Sequence, residues 1–338
     1  MAESVFTFPP QKAGEPSTRN WFSELLNHPD CQNNPAYESS RSSSLARSVS
    51  ACLPARDDDS TVAAAEAKRE PTQFITPDSA LLRYLELQRQ TEPEGNSTRH
   101  RGIEELSKQD VNCLVIWARP DTQTLDLLAK IQTRLSDLVG HGLYAIPQDM
   151  HLSVIELSHR HSISHLRSVY NMVGVAQLER LLDVPRAEYN ANHAPVRLVK
   201  PMIMFDKVGV AVGFVPADDS YTHHHLRSQL HTMALATGVS IDTCYTAPLA
   251  HVTVGRFIDN AFFEASDQGR IVEAKRNRME RWVNLIQQIN EDLQREHWDE
   301  LSWVVGGEKA LEVQLSYVKF GRQTDKADLV GYTLATQA

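Results

Sequence analysis

Cysteine is scarce and scattered in this chain. The four residues, Cys31, Cys52, Cys113 and Cys244, include no C-x-x-C pair, which excludes a disulfide framework and a zinc knuckle. Long hydrophobic runs are missing as well. No stretch reaches the roughly 18 apolar residues that a membrane span needs. The start, "MAESVFTFPPQKAGEPSTRN", lacks the basic then apolar order of a secretory signal. Positive charge is in deficit: the formal net charge is −9, so the whole molecule is not a polyanion binder by charge, although a few local cations suffice to hold a small anion. There is no G-x-x-x-x-G-K-[ST] loop ("VVGGEK" at Val304 reads as a turn), no G-x-S-x-G elbow and no H-E-x-x-H helix. These absences predict a soluble intracellular protein, cytoplasmic or nuclear, without membrane association and without a cofactor.

What remains is ordinary globular composition, 41% hydrophobic over 338 residues, enough for one large domain or two small ones. Residues 1–80 differ from the rest. "ESSRSSSLARSVSA" is Ser-rich and "PARDDDSTVAAAEAKREP" is charged. Such segments bury too little apolar surface to offset their chain entropy, so a mostly disordered extension is predicted, dispensable for turnover, with a short helix near "NWFSELLNH". Residues 81–338 carry the ordered pattern.

That pattern begins with a helix over "PDSALLRYLELQRQ", started by Pro77-Asp78-Ser79. "VNCLVIWA" reads as a buried strand. "DTQTLDLLAKIQTRLSDLVG" follows as a helix with Leu125, Leu128, Ile131, Leu135 and Leu138 on one stripe, ended by Gly140. "LYAIPQDMHLSVIEL" gives two strand-like pieces and "SISHLRSVYNMVGVAQLERLL" a second helical region. The order then recurs. "VRLVKPMIMFDKVGVAVGFVP" reads as two strands, "HHHLRSQLHTMALATG" as a helix, "LAHVTVGRF" as a strand and "RIVEAKRNRMERWVNLIQQINEDLQ" as a long amphipathic helix. "LEVQLSYVKFG" and "LVGYTLA" are closing strands. Strands mixed with helices and hairpins argue an α+β fold whose sheets are covered by helices on one face.

Two stretches stand out within it, "HLSV" at His151 and "HVTV" at His251, offset by 100 positions. Residues i and i+2 of a strand share a face. His151 and Ser153 therefore point one way, as do His251 and Thr253, while Leu152, Val154, Val252 and Val254 point to the core. Two imidazoles and two hydroxyls converging on one cavity suit phosphoester chemistry. A neutral imidazole takes a proton from water, a protonated one gives a proton to the leaving alkoxide, and the hydroxyls donate to non-bridging phosphate oxygens. A single histidine in a strand is more often structural. The repetition in matching context is what points to function.

These motifs resemble the paired H-x-[ST]-x signatures of the 2H (two-histidine) phosphoesterase superfamily, which includes cyclic phosphodiesterases and RNA ligase-like proteins. "IPQDMHLSV" is similar to the proline-bearing approach to the first family motif. "APLAHVTVGRF", with Arg256, is similar to the second. The resemblance spans roughly Val111 to Leu334, and departs in Ser153, where the family has Thr, and in the long insert between Phe257 and Leu301. It implies two pseudo-symmetric lobes whose antiparallel sheets line a central groove, with helices outside. It also implies metal-independent opening of a 2′,3′-cyclic phosphate, on a small nucleotide or an RNA end, to a phosphomonoester. His151, Ser153, His251 and Thr253 would be catalytic. Two alternatives stay open: a 3′-end RNA exonuclease of the same superfamily, and a non-catalytic nucleotide-binding module.

Arg256 is a candidate phosphate or base contact near a strand end. Tyr144 and Phe257 are candidate stacking partners for a base, with core packing as the competing reading. "SHRHSISH" and "YTHHHLRSQLH" are rich in histidine but lack carboxylate or thiol partners at matching spacing. They read as exposed or capping histidines, with no metal site.

Overall fold

The computed structural model of the chain describes residues 16–53, 74–91, 108, 112–147, 150–191, 194–242, 249–265, 271–316 and 327–335. Helices α1 (Trp21–Leu25), α2 (Asn34–Cys52) and α3 (Ser79–Thr91) precede the first strand. Then follow β1 (Asn112–Ala118), α4 (Thr122–Val139), β2 (Leu143–Ala145) and β3 (Leu152–His161). Helices α5 (Ile163–Val173) and α6 (Val175–Asn190) lead to β4 (Arg197–Phe205) and β5 (Gly209–Pro216). Helix α7 (His223–Leu235) precedes β6 (Ala250–Phe257), and α8 (Ala261–Glu264) and α9 (Ile271–His297) follow it. The short strands β7 (Ser302–Val304), β8 (Leu311–Ser316) and β9 (Leu329–Val330) close the chain. Among the described residues no helix is long and apolar enough to cross a membrane.

The strands form two antiparallel sheets flanked by helices, one ordered β3-β1-β8-β9 and the other β2-β6-β5-β4-β7. The fold is therefore mixed α+β. The halves of the sequence exchange strands: β2 joins the second sheet, and β8 and β9 return to the first. "LYAIPQDMHLSVIEL" thus serves both sheets. The unbroken apolar run of β1 has a simple cause. Leu114, Ile116 and Ala118 enter the main core, while Cys113, Val115 and Trp117 are equally buried in a separate cluster. Helices α5 and α6 pack on the first sheet, α9 on β4, and α4 on β2 and β6. Asp121 caps α4 through Thr124 N, and Gly140 ends it at φ +66°, as expected. The predicted helix after β3 is broken in two by Gly174 at φ +81°.

The largest departure from expectation lies in the N-terminal segment. Residues 16–53 are not disordered. Trp21, Phe22, Leu25, Cys31 and Tyr37 are buried, and the last four share a cluster with Val215 and Leu249. Helix α1 packs on α7 and α2 on β4 and β5. The Ser-rich composition hides this because the apolar side chains of α2 that pack on the cores, Tyr37, Leu45, Val49 and Cys52, are few, and a buried position among them is polar. Arg41, fully buried, donates to the carbonyl oxygens of Lys200 and Gly213, the latter at 3.0 Å. Lys200 sits at φ +52° beside a register shift in β4. Irregular strands leave carbonyls unpaired, and a buried guanidinium satisfies them. Residues 1–15 and 54–73 lie outside the described residues.

Candidate active site

Both motif strands show the predicted alternation. Leu152, Val154, Val252 and Val254 are buried, while His151, Ser153, His251 and Thr253 are half-buried. The strands belong to different sheets but pack against one another. His151 immediately precedes β3 and lies flat on the indole of Trp117, with ring centroids 3.6 Å apart and an interplanar angle of 10°. Trp117 stands opposite Ser153 in the β1–β3 register, so β1 supplies the surface on which the first histidine rests.

The second pair meets different surroundings. His251, Thr253 and Arg256 line a cavity of about 580 Å³, together with Asp206 from the β4–β5 turn and Ser44, Arg47 and Ser48 from α2. His151 and Ser153 stand outside this lining. Burial pushes the His251 imidazole down to about 4, helped by the positive charges of Arg227 and Arg256 and opposed by a hydrogen bond to the Leu249 backbone and by the Asp206 carboxylate. His251 is therefore neutral across the physiological range.

Arg227 connects the two strands. It projects from α7, is buried, and donates from Nε to Val154 O at 3.1 Å and from Nη2 to Ser153 O at 3.0 Å. Val154 is the extra residue of a β-bulge, since Ile116 faces Ile155 and Trp117 faces Ser153. The guanidinium thus holds the first motif strand in its bulged form while its charge acts on the histidine of the second. Gln132 of α4 anchors the second strand in a similar way, donating to Val254 O at 2.7 Å.

Of the candidate binding residues, Arg256 lines the cavity but shares its charge with Asp78, 3.2 Å away. Phe257 is no stacking platform. It is fully buried, edge-on to Phe263 and Trp282, because it points to the core face of β6. Tyr144 is half-buried, packs on apolar neighbours and takes no part in the cavity lining. The histidine-rich segments also differ from expectation. His223, His224 and His231 are core residues, with Tyr37 against His223 and His224 and Phe22 against His224 and His231, and only His225 caps the helix, in a capping box with Thr222. In "SHRHSISH", His161 pairs with Asp242 and stacks on His165, whereas His159 turns away to meet Cys113 and Glu156.

Sequence reasoning missed Trp117, Arg227 and Arg47. Arg227 left a trace: it falls on the buried stripe of α7 with His223, Leu226 and Leu230, where a cation needs buried acceptors. Trp117 left none, because cross-strand register is not written in β1 itself. The second pair offers a neutral imidazole, a hydroxyl and two arginines at the cavity, and the first pair offers an imidazole on an aromatic face and a hydroxyl outside that lining. Such a set can bind an anionic ester and move protons to and from its oxygens. No family model, curated protein or solved structure matches the chain.

Proposed function

We propose that the chain is a phosphodiesterase that opens a 2′,3′-cyclic phosphate, on a nucleotide or an RNA end, to a phosphomonoester by paired-histidine acid–base catalysis. The observation that carries this reading is the presence of two H-x-hydroxyl pairs on half-exposed faces of strands packed against each other, one pair at a cavity that Arg47 and Arg256 also line. A volume of about 580 Å³ lies within the usual range of small-ligand pockets, about 300–1,000 Å³, and suits one nucleotide rather than a duplex. In this reading the two sheets are pseudo-symmetric lobes with the groove between them.

The surroundings break the symmetry of the motifs. His251, held neutral by burial and by Arg227 and Arg256, takes the proton of the attacking water. An incoming phosphate anion offsets those cations and strengthens the imidazole as a base when substrate arrives. His151 takes the acid role on the indole of Trp117, a surface that attracts cations, and protonates the leaving ribose oxygen. Ser153 and Thr253 donate to the non-bridging oxygens as charge builds. The mechanism routes no step through a metal ion.

The test is turnover of the purified chain on 2′,3′-cyclic nucleotides, on RNA ending in a cyclic phosphate and on a uridine-rich 3′ end. Ring opening with release of a phosphomonoester is expected. Shortening of the uridine-rich RNA would assign an exonuclease instead, and nucleotide binding without turnover would leave a binding module.

A further inference from the structure

A second group of chemistry-bearing side chains lies on the first sheet, apart from the paired histidines. Three side chains converge there: Cys113 from β1, and Glu156 and His159 from β3. Cys113 Sγ is 3.3 Å from His159 Nδ1, and the same nitrogen is 3.3 Å from Glu156 Oε2. All three donor atoms lie within 4.8 Å of one another. Cys113 and His159 are fully buried, and the Glu156 side chain is 14% exposed.

Strand geometry does not bring these residues together unaided. In a regular strand, residues three apart point to opposite faces. Here Leu157 is an extra residue between the pairs Leu114–Ser158 and Val115–Glu156, and Arg160 is another between Cys113–His159 and Asn112–His161. The first bulge turns Glu156 and His159 to the same face. The second has Arg160 in the left-handed region at φ +59°, a conformation that costs a non-glycine residue about 1 kcal/mol or more. Asp242, itself buried, accepts from His159 N at 2.8 Å and binds His161 on the other side of the bulge. An irregular backbone, braced by a buried carboxylate, holds these donors in place.

Hydrogen bonding through Nδ1 reaches both of these neighbours only as a shared bond. One ring nitrogen carries a single hydrogen or a single lone pair, yet Nδ1 faces both a thiol and a carboxylate. A Cys–His–acid relay would place them on opposite ring nitrogens. The other nitrogen, Nε2, is buried with no hydrogen-bond partner among the described residues. Burial of the ring is therefore not offset through that atom. Three electron-rich atoms crowded around one point are instead reconciled by a cation. A tetrahedral zinc ion with ordinary bond lengths separates its sulfur, nitrogen and oxygen ligands by about 3.4–3.6 Å, close to the spacing seen.

We infer that Cys113, Glu156 and His159 form a binding site for a zinc-type divalent ion, with the fourth position open to water. The mixed thiolate, imidazole and carboxylate set matches a borderline ion rather than calcium or magnesium. Binding expels the Cys113 thiol proton to solvent, so affinity rises with pH. The partly exposed Glu156 provides the way in. The site ties the irregular end of β3 to β1 and makes no demand on the proposed phosphodiesterase activity.

The experiment uses the full chain, stripped of metal by a chelator and titrated with Co²⁺. One equivalent should bind, with the near-ultraviolet charge-transfer band of a thiolate ligand and the visible bands of a tetrahedral ion, and Zn²⁺ should displace it. Cys113→Ser should abolish the charge-transfer band. Glu156→Gln, an isosteric change at a partly exposed position, should keep the band and weaken binding at least about tenfold. That second variant also decides the matter if Cys113→Ser fails to fold. Absence of the band in the parent chain overturns the proposal. So does a band that survives in folded Cys113→Ser, an affinity unchanged by Glu156→Gln, or binding lost in His165→Ala alone, which would place the ion at His161, His165 and Asp242.

Discussion

The two motif strands carry the same four-residue pattern and meet opposite surroundings. β3 is an edge strand, bulged, with its histidine flat on an indole. β6 lies inside its sheet, with its histidine beside a cavity and under the influence of two arginines. The pattern determines which side chains face outward. The neighbours determine what those side chains do. Identical residues can thus divide the labour of acid and base without any difference in the motif itself.

Removing either histidine breaks this comparison most sharply. His151→Ala and His251→Ala should each lower turnover of a 2′,3′-cyclic nucleotide by about 10²–10⁴-fold, the usual worth of a positioned acid or base. The double variant should fall far less than the product of the two losses, because the groups act as one unit. The pH profile of kcat/KM should separate the roles. His251 must be neutral, so activity should persist below the ordinary imidazole value and fail only near pH 4, where this group takes up its proton. An acidic limb near 6.5, or a histidine replaced without loss, would reject the division of roles.

The next effect is expected at Arg227, the group shared by both strands. Arg227→Met removes two charged hydrogen bonds to Ser153 O and Val154 O and leaves carbonyls at a bulge unpaired. Stability should drop by about 3 kcal/mol, measured by urea unfolding. The same change removes a positive charge that holds His251 down, so the acidic limb should move up toward 6.5. A drop in stability with an unmoved limb would confine Arg227 to a structural part.

A further effect follows from imidazoles that desolvation keeps neutral. Burial lowers both His231 and His251 from 6.5 to about 4. Between those values the unfolded chain binds protons that the folded chain refuses. The stability present above pH 6.5 should therefore be lost progressively as pH falls toward 4. Urea midpoints at pH 7 and pH 5 measure this. His231→Leu, which removes the imidazole packed against Phe22, should flatten the slope.

Much of the frame was legible in the sequence, and the reasons are local. Apolar alternation around His151 and His251 placed both pairs on the outward face. Gly140 marked a helix end that the structure retains. What was not legible depends on partners distant in the chain. Phe257 had two readings, base stacking and core packing, and β6 put it against Trp282 in the core. Cys113 looked solitary because its partners, Glu156 and His159, reach it only through the β1–β3 register and two bulges. The N-terminal segment looked unable to fold because its serines hide a sparse stripe, Tyr37, Leu45, Val49 and Cys52, in which the buried position Arg41 is polar. Composition measures how much apolar surface a segment carries, whereas an arginine meeting two stray carbonyls is a matter of fit.

That docking makes the smallest prediction informative. Arg47 is an exposed residue of α2 at the rim of the cavity beside His251, its Nη2 donating to Ser44 Oγ at 3.0 Å. If α2 only covers the sheet, Arg47→Ala should change nothing in the kinetics. If the helix completes the anion site, the variant should raise KM for a cyclic nucleotide while kcat stays constant, the signature of an interaction made equally in ground and transition states. The rise should be modest, about two- to fivefold, because an exposed charge interaction contributes at most about 1 kcal/mol. It should shrink as salt is added, since screening weakens exposed charges first. A matching rise in Ser153→Ala would point to ordinary loss of a hydrogen-bond donor. A salt-sensitive rise confined to Arg47→Ala identifies a charge brought to β6 by a segment whose composition gives no hint of it.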